Sequence, residues 1–129
     1  MAVFCPYLEN FWRGAWCASP NRQIVSISGD GGFGQYMAEL TTAVKYGMNI
    51  THVLLNNGEL GKISKEQRAD QLDVWQTQLH NPNFASYAEN CGALGIRVQN
   101  RSELKSALRR ALDHHGPALV EVITDAMLI

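Results

Sequence analysis

Apolar and polar positions alternate unevenly along the chain, and the changes of period mark its elements. A β-branched run, Gln23-Ile24-Val25-Ser26-Ile27-Ser28, stops abruptly at Gly29-Asp30-Gly31-Gly32, which predicts a strand feeding a glycine loop. Met37, Leu40, Thr41 and Val44 then recur at helical spacing. Gly47 stands where a left-handed helix stop is expected, so a helix of about three turns is predicted after the loop. Residues 50–55, with Val53, Leu54 and Leu55 consecutive, read as a strand buried on both faces, ending at Asn56-Asn57-Gly58. Residues 58–80 are polar and weakly periodic, with a short helix expected around 65–72; so long a stretch reads as an active-site loop or lid. Asn81-Pro82 suggests a cap and a first helical residue ahead of Phe84, Tyr87, Ala88 and Cys91. A strand at 96–99 follows. Ser102 is the expected cap of a helix striped by Leu104, Ala107, Leu108, Ala111 and Leu112, and residues 118–123 form the last strand. Only residues 1–20 lack a clean period: Phe4, Tyr7, Phe11, Trp12 and Trp16 crowd there with Cys5 and Cys17, as core or as an interface.

The resulting order implies an α/β fold, a doubly wound and mainly parallel sheet with helices on both faces, whose ligands bind beyond the C-terminal strand ends. Both polar junctions, 29–34 and 56–59, fall at such ends. Composition narrows the picture further. The chain has 129 residues, 46% of them apolar, with 11 Lys+Arg against 12 Asp+Glu and a formal net charge of −1. That describes one domain over residues 1–129 without the broad positive field that nucleic acid requires. Three cysteines without a CxxC give neither a disulfide framework nor a zinc site and point to a reducing cytoplasm. No apolar run approaches the roughly 20 residues of a membrane span.

The glycine loop carries the first chemistry. Gly29, Gly31 and Gly34 match G-x-G-x-x-G between a strand and a helix, the context of a dinucleotide fingerprint, so an NAD- or FAD-binding oxidoreductase module is one reading. Such loops let backbone N–H groups approach a diphosphate. Asp30 argues for a different use: a carboxylate beside a diphosphate is costly unless a divalent cation bridges the two. The dinucleotide reading also wants an acid at the end of the second strand, and here two amides stand instead. Asn57 is a neutral oxygen ligand suited to a hard cation. Asp30, Asn57, a carbonyl such as that of Glu59, two diphosphate oxygens and a water would complete the octahedron of Mg²⁺.

Gly29-Asp30-Gly31 and Asn56-Asn57, separated by residues 32–55, resemble the GDG…NN motif of thiamine-diphosphate-dependent enzymes. Asn81-Pro82-Asn83-Phe84, Ala88-Glu89 and Cys91-Gly92 are similar to a stretch of the pyruvate oxidase and acetolactate synthase group. The resemblance covers residues 14–129 and leaves 1–13 unassigned, as expected of the family's diphosphate-binding (C-terminal) domain truncated at its N-terminus. It implies that Asp30 and Asn57 bind Mg²⁺ with the Glu59 carbonyl as third protein ligand. It also implies that the amides of Gly31, Gly32 and Phe33 face the diphosphate. Glu66, in a Glu-Gln pair after the metal asparagine, is implied to lie near the reacting carbon and to exchange a proton with the substrate.

The implied cofactors are thiamine diphosphate and Mg²⁺, with FAD, where present, on another domain. The implied partners are a 2-oxo acid such as pyruvate and a pyrimidine-binding domain or subunit that supplies the activating glutamate, in a homo-oligomer. The chain by itself is then expected to be inactive. A non-catalytic binding or assembly subunit is the third reading. Arg109, Arg110, His114 and His115 read as cations favoured by a helix C-terminus, His52 and His80 as structural or exposed, and Cys91 as core.

Overall fold

The structure is a computed structural model that describes residues 3–4 and 11–128. Cys5 and Tyr7 of the N-terminal aromatic cluster lie outside them, as do the side chains of Phe4 and Phe11. The strands are β1 (Val3–Phe4), β2 (Ile24–Gly29), β3 (Ile50–Asn56), β4 (Leu94–Val98) and β5 (Ala118–Ile123). The helices are α1 (Phe11–Ala18), α2 (Asp30–Tyr36), α3 (Glu39–Lys45), α4 (Gly61–Ala69), α5 (Phe84–Asn90) and α6 (Arg101–Leu112). All strand pairs are parallel, in the order β1-β2-β3-β5-β4, so the doubly wound α/β reading holds.

Alternate strand residues separate the two faces. Leu54 and Leu119 pack with Phe33, Leu40, Phe84 and Ala88, which puts α2, α3 and α5 on one face. Ala118 and Val120 pack with Ala107 and Ala111 of α6 on the other. Trp12 is buried against Ile24, Ala43, Met48 and Ile50, with Trp16 partly buried beside it, so α1 turns its described aromatic rings toward the core.

Four local expectations shift. The helix after β2 starts at Asp30 rather than beyond Gly34, so the glycine run is itself the first turn; a break at Met37–Ala38 divides the expected helix into α2 and α3. The polar stretch contains α4 from Gly61, earlier than expected, and its far end is pinned rather than loose. Leu60 N–H donates to Thr77 O and Leu79 N–H to Gly58 O, both at 2.8 Å. The cap of α5 is Asn83, whose Oδ1 accepts Ser86 N–H at 2.9 Å, and Asn81 lies outside the helix. Pro82 explains this, because its ring disfavours helical backbone at the preceding residue. The cap of α6 is Asn100 with Glu103 reaching back to its N–H at 3.3 Å, so the capping box begins two residues before Ser102.

Behind the glycine turn, register places Ser26 beside His52. The buried imidazole is held at both nitrogens, Nδ1 at 2.5 Å from Ser26 Oγ and Nε2 at 2.9 Å from Ser28 Oγ, with the Phe33 ring 4.9 Å away. Burial pushes its pKa from 6.5 down to about 4. Above pH 6.5 neither folded nor unfolded chain protonates this ring; below it the unfolded chain gains a proton that the folded chain refuses. Stability is therefore lost as pH falls from 6.5 to about 4, by about 3 kcal/mol in all. Urea unfolding at pH 7 and pH 4.5 should show a smaller decline for His52→Gln than for the native chain; equal declines would exclude His52 as the cause.

A second constraint lies where α5 meets β4. A Cβ at Gly95 would stand 2.0 Å from Ala85 O, a backbone atom that cannot step aside. Gly95→Ala should cost about 2–3 kcal/mol in urea unfolding. Gly34→Ala, with nothing within 4 Å of its new methyl and a helical backbone, should cost nothing.

Candidate functional site

The candidate site forms where Gly29 and Asn56 end the adjacent strands β2 and β3. Asp30, the first residue of α2, is only 3% exposed. Its Oδ1 accepts Gly31 N–H at 3.0 Å, and its Oδ2 accepts Gly58 N–H at 2.8 Å and Asn81 Nδ2 at 2.6 Å. These three donors are neutral, so hydrogen bonds alone surround the buried carboxylate and none brings a countercharge, and one lone pair of Oδ1 stays open. Gly58 reaches it because its backbone is left-handed, with φ +70, a conformation glycine adopts without strain.

Asn57 is half-buried, and its Oδ1 accepts Glu59 N–H at 3.1 Å. The Glu59 carbonyl accepts Gly61 N–H at 2.9 Å. Each of these oxygens therefore keeps a lone pair, as Asp30 does. Together they are one carboxylate, one amide oxygen and one carbonyl, the hard donors Mg²⁺ prefers. Among the described residues no group of three or more His, Cys, Asp or Glu could hold a metal ion. A cation here must therefore complete its shell from amide, carbonyl and ligand oxygens.

The Glu59 side chain turns elsewhere. It is buried, and its Oε1 accepts Arg68 Nη2 at 3.2 Å and Thr77 Oγ1 at 3.3 Å. A hydrogen bond from Ser64, with Arg68 and Thr77 beside it, holds this carboxyl below its ordinary range. The pair ties the end of α4 to the pinned 77–79 segment.

Among the loop glycines, Gly31 is closed in: a Cβ there would meet Leu60 Cδ2 at 2.6 Å and Leu79 Cδ1 at 3.3 Å. Gly29 and Gly34 have nothing within 4 Å of that position, which leaves room beside the turn for a ligand. Gly32 carries a first-turn N–H without a carbonyl partner inside α2, whereas the N–H of Phe33, fourth in the helix, is directed to the carbonyl of the cap residue Gly29. The Gly31 N–H already serves Asp30. The Phe33 ring is core, edge-on to Phe84 at 5.5 Å and 83°.

An open cleft of about 680 Å³ adjoins Asn57–Glu59 and is bounded by Arg68, the 74–79 segment and Ala126. Glu66 lies apart from the Asp30 cluster, exposed on α4. Its neighbour Gln67 clasps the backbone of Trp75, with Nε2 donating to its carbonyl and Oε1 accepting its N–H, both at 3.3 Å.

Two site residues escaped the sequence reading. Asn81 donates to Asp30 and, at 3.0 Å, to Asn56 Oδ1. Glu121, fully buried on β5, accepts Asn56 Nδ2 at 2.8 Å and Ala85 N–H at 3.2 Å and lies 3.5 Å from Arg97 Nη1. A signal for Glu121 was present, since it is the one charge inside an apolar strand. Asn81 had none, because its partners are remote in sequence.

The family model described as "Thiamine pyrophosphate enzyme, C-terminal TPP binding domain" matches residues 11–122. The Bacillus subtilis protein YdaP, which carries a provisional thiamine pyrophosphate-containing name, is 44% identical over 82% of this chain and 18% of its own. The catabolic acetolactate synthase of Raoultella terrigena is 36% identical over 87% of this chain and 20% of its own. Among solved structures, the thiamine diphosphate-dependent 4-hydroxybenzoylformate decarboxylase of Rhodococcus jostii RHA1 superposes with a TM-score of 0.79 at 28% identity, covering 87% of this chain and 21% of that one. The chain thus spans about a fifth of the length of these relatives. Because the family model matches most of its length, the chain belongs to the thiamine pyrophosphate enzymes and corresponds to their C-terminal TPP-binding domain.

Proposed function

We propose that this chain holds the diphosphate end of thiamine diphosphate through Mg²⁺, in an enzyme that decarboxylates a 2-oxo acid such as pyruvate. The observation that carries this reading is the buried Asp30 carboxylate, hydrogen-bonded by neutral groups only and tied through Gly58 N–H to the turn that carries Asn57 and Glu59. A divalent cation supplies the countercharge that these donors lack, and the open space beside Gly29 and Gly34 admits the phosphates to the first-turn amide of Gly32. When bound, thiamine diphosphate supplies the carbon nucleophile that adds to the 2-oxo group and takes the electron pair left as CO₂ departs.

In this reading Glu66 exchanges a proton with the substrate. Its exposed position on α4 suits that role once a neighbouring domain or subunit covers it and excludes water. The activating glutamate comes from a pyrimidine-binding domain or subunit, in a homo-oligomer. Among the described residues no helix is long and apolar enough to cross a membrane. Cys17 and Cys91 are free thiols, in keeping with a reducing cytoplasm.

The test of binding is thermal unfolding with thiamine diphosphate and Mg²⁺. At 100 times its Kd the ligand should add about 2.7 kcal/mol, a rise of several degrees. EDTA or Asp30→Ala should abolish the rise; a metal-independent shift with NAD⁺ in its place would overturn the proposal in favour of a dinucleotide module. For turnover, CO₂ release from pyruvate should be negligible with this chain by itself and appear on mixing with a pyrimidine-domain partner. In that mixture Glu66→Gln should lower kcat about 100-fold while leaving the thermal shift in place. Full turnover by the chain by itself would disprove the division of the site.

A further inference from the structure

We infer that Asn81 is a positioning residue for Asp30, the last member of a directed amide relay that runs from Glu121 through Asn56 and fixes the open lone pair of the Asp30 carboxylate. The inference rests on the reading of Asp30 as a cation ligand.

The direction of the relay follows from its two ends. The Glu121 carboxylate, buried in the sheet, accepts hydrogen bonds and donates none, so the Asn56 side chain must turn its Nδ2 toward it, at 2.8 Å. Asn56 Oδ1 then faces the other way, where it accepts Gly58 N–H at 3.2 Å and Asn81 Nδ2 at 3.0 Å. Asn81 is consequently a donor at this junction, and the same Nδ2 donates to Asp30 Oδ2 at 2.6 Å. An amide flip at either asparagine would set oxygen against oxygen, so two carboxylates at opposite ends fix both amides.

The effect on Asp30 is specific. Gly58 and Asn81 fill both lone pairs of Oδ2, and Gly31 fills one of Oδ1. One acceptor direction is left, and it belongs to Oδ1. Without Asn81 the carboxylate keeps one partner on each oxygen, and its two oxygens become near-equivalent. Asn81 thereby selects which oxygen the cation meets. It also links that choice to the 77–83 segment, which Leu79 and Gly58 pin at one end and the Asn83 cap holds at the other.

The experiment is a Mg²⁺ titration of the protein at fixed thiamine diphosphate, followed by heat of binding and by thermal unfolding. The native protein is compared with Asp30→Ala, Asn81→Ala, Asn81→Asp and Asn83→Ala. Asn81→Ala should weaken Mg²⁺ binding by roughly 10–100-fold, the effect of losing a group that orients a ligand. Asn81→Asp places a second carboxylate against Asp30, so its metal-free unfolding temperature should drop and Mg²⁺ should restore it. Asn83→Ala removes the cap of α5 in the same segment and should cost stability without changing Mg²⁺ affinity.

If Asn81→Ala binds Mg²⁺ as the native protein does, or loses no more affinity than Asn83→Ala, the relay is overturned. In that result the response of the native protein and its loss in Asp30→Ala would leave the cation site standing. A native protein without any Mg²⁺-dependent response would overturn both.

Discussion

A carboxylate removed from water must be surrounded by donors or neutralised, and at Asp30 the fold does the first at all but one acceptor direction. Its donors come from three parts of the chain that are far apart in sequence: the turn of α2, the bend after β3, and the segment before α5. That requirement accounts for several otherwise unrelated choices. Gly58 must be left-handed to aim its N–H, and Pro82 keeps Asn81 out of the helix so that its amide is free to reach inward. Gly31 must lack a side chain so that Leu60 and Leu79 can close over the turn. The geometry of the strand ends is thus set by the satisfaction of one anion.

A second buried anion, Glu121, sits on the far side of β3 and is linked to the first through two amides. Unlike Asp30, it has a guanidinium nearby and the N–H of α5's second residue, so its charge is shared within the fold. The contrast matters because pairing is what separates a structural buried charge from one held ready for a ligand. Glu121 is compensated by Arg97 and serves to orient. Asp30 is hydrogen-bonded by neutral groups and retains an open acceptor direction. His52 adds rigidity beneath them: clamped by Ser26 and Ser28 and packed on Phe33, it supports the turn from below as a neutral ring.

What the sequence made legible was what depends on neighbours in the chain. Strand β5 and the ends of β2 and β3 followed from β-branched runs and their polar stops, and the place of Asp30 and Asn57 at those strand ends from the pairing of Gly29-Asp30-Gly31 with Asn56-Asn57. The helix starts were harder, since asparagine and serine compete as caps within two or three residues; Asn83 and Asn100 won over Asn81 and Ser102 on backbone grounds that composition does not register. Least legible were the cross-strand partnerships. Ser26, Ser28 and His52 meet through strand register, and Asn81 meets Asp30 through the folding back of the 77–79 segment, neither of which has a periodic signature. The N-terminal aromatic residues were undecided for a similar reason, and Trp12 found its place only against α3 and the strands.

The two ends of the proposed reaction make opposite demands, and this chain is built for one of them. Holding a diphosphate and its cation calls for fixed oxygens and amides, and the Asp30 cluster has these on strand ends and pinned turns. Moving a proton at the substrate calls for exclusion of water, yet Glu66 stands in solvent and the cleft beside Asn57 is open. Trp75 beside it is 71% exposed, with its backbone held by Gln67. In the proposed reading this chain holds the diphosphate end, and the exclusion of water that Glu66 needs falls to the proposed neighbouring domain or subunit.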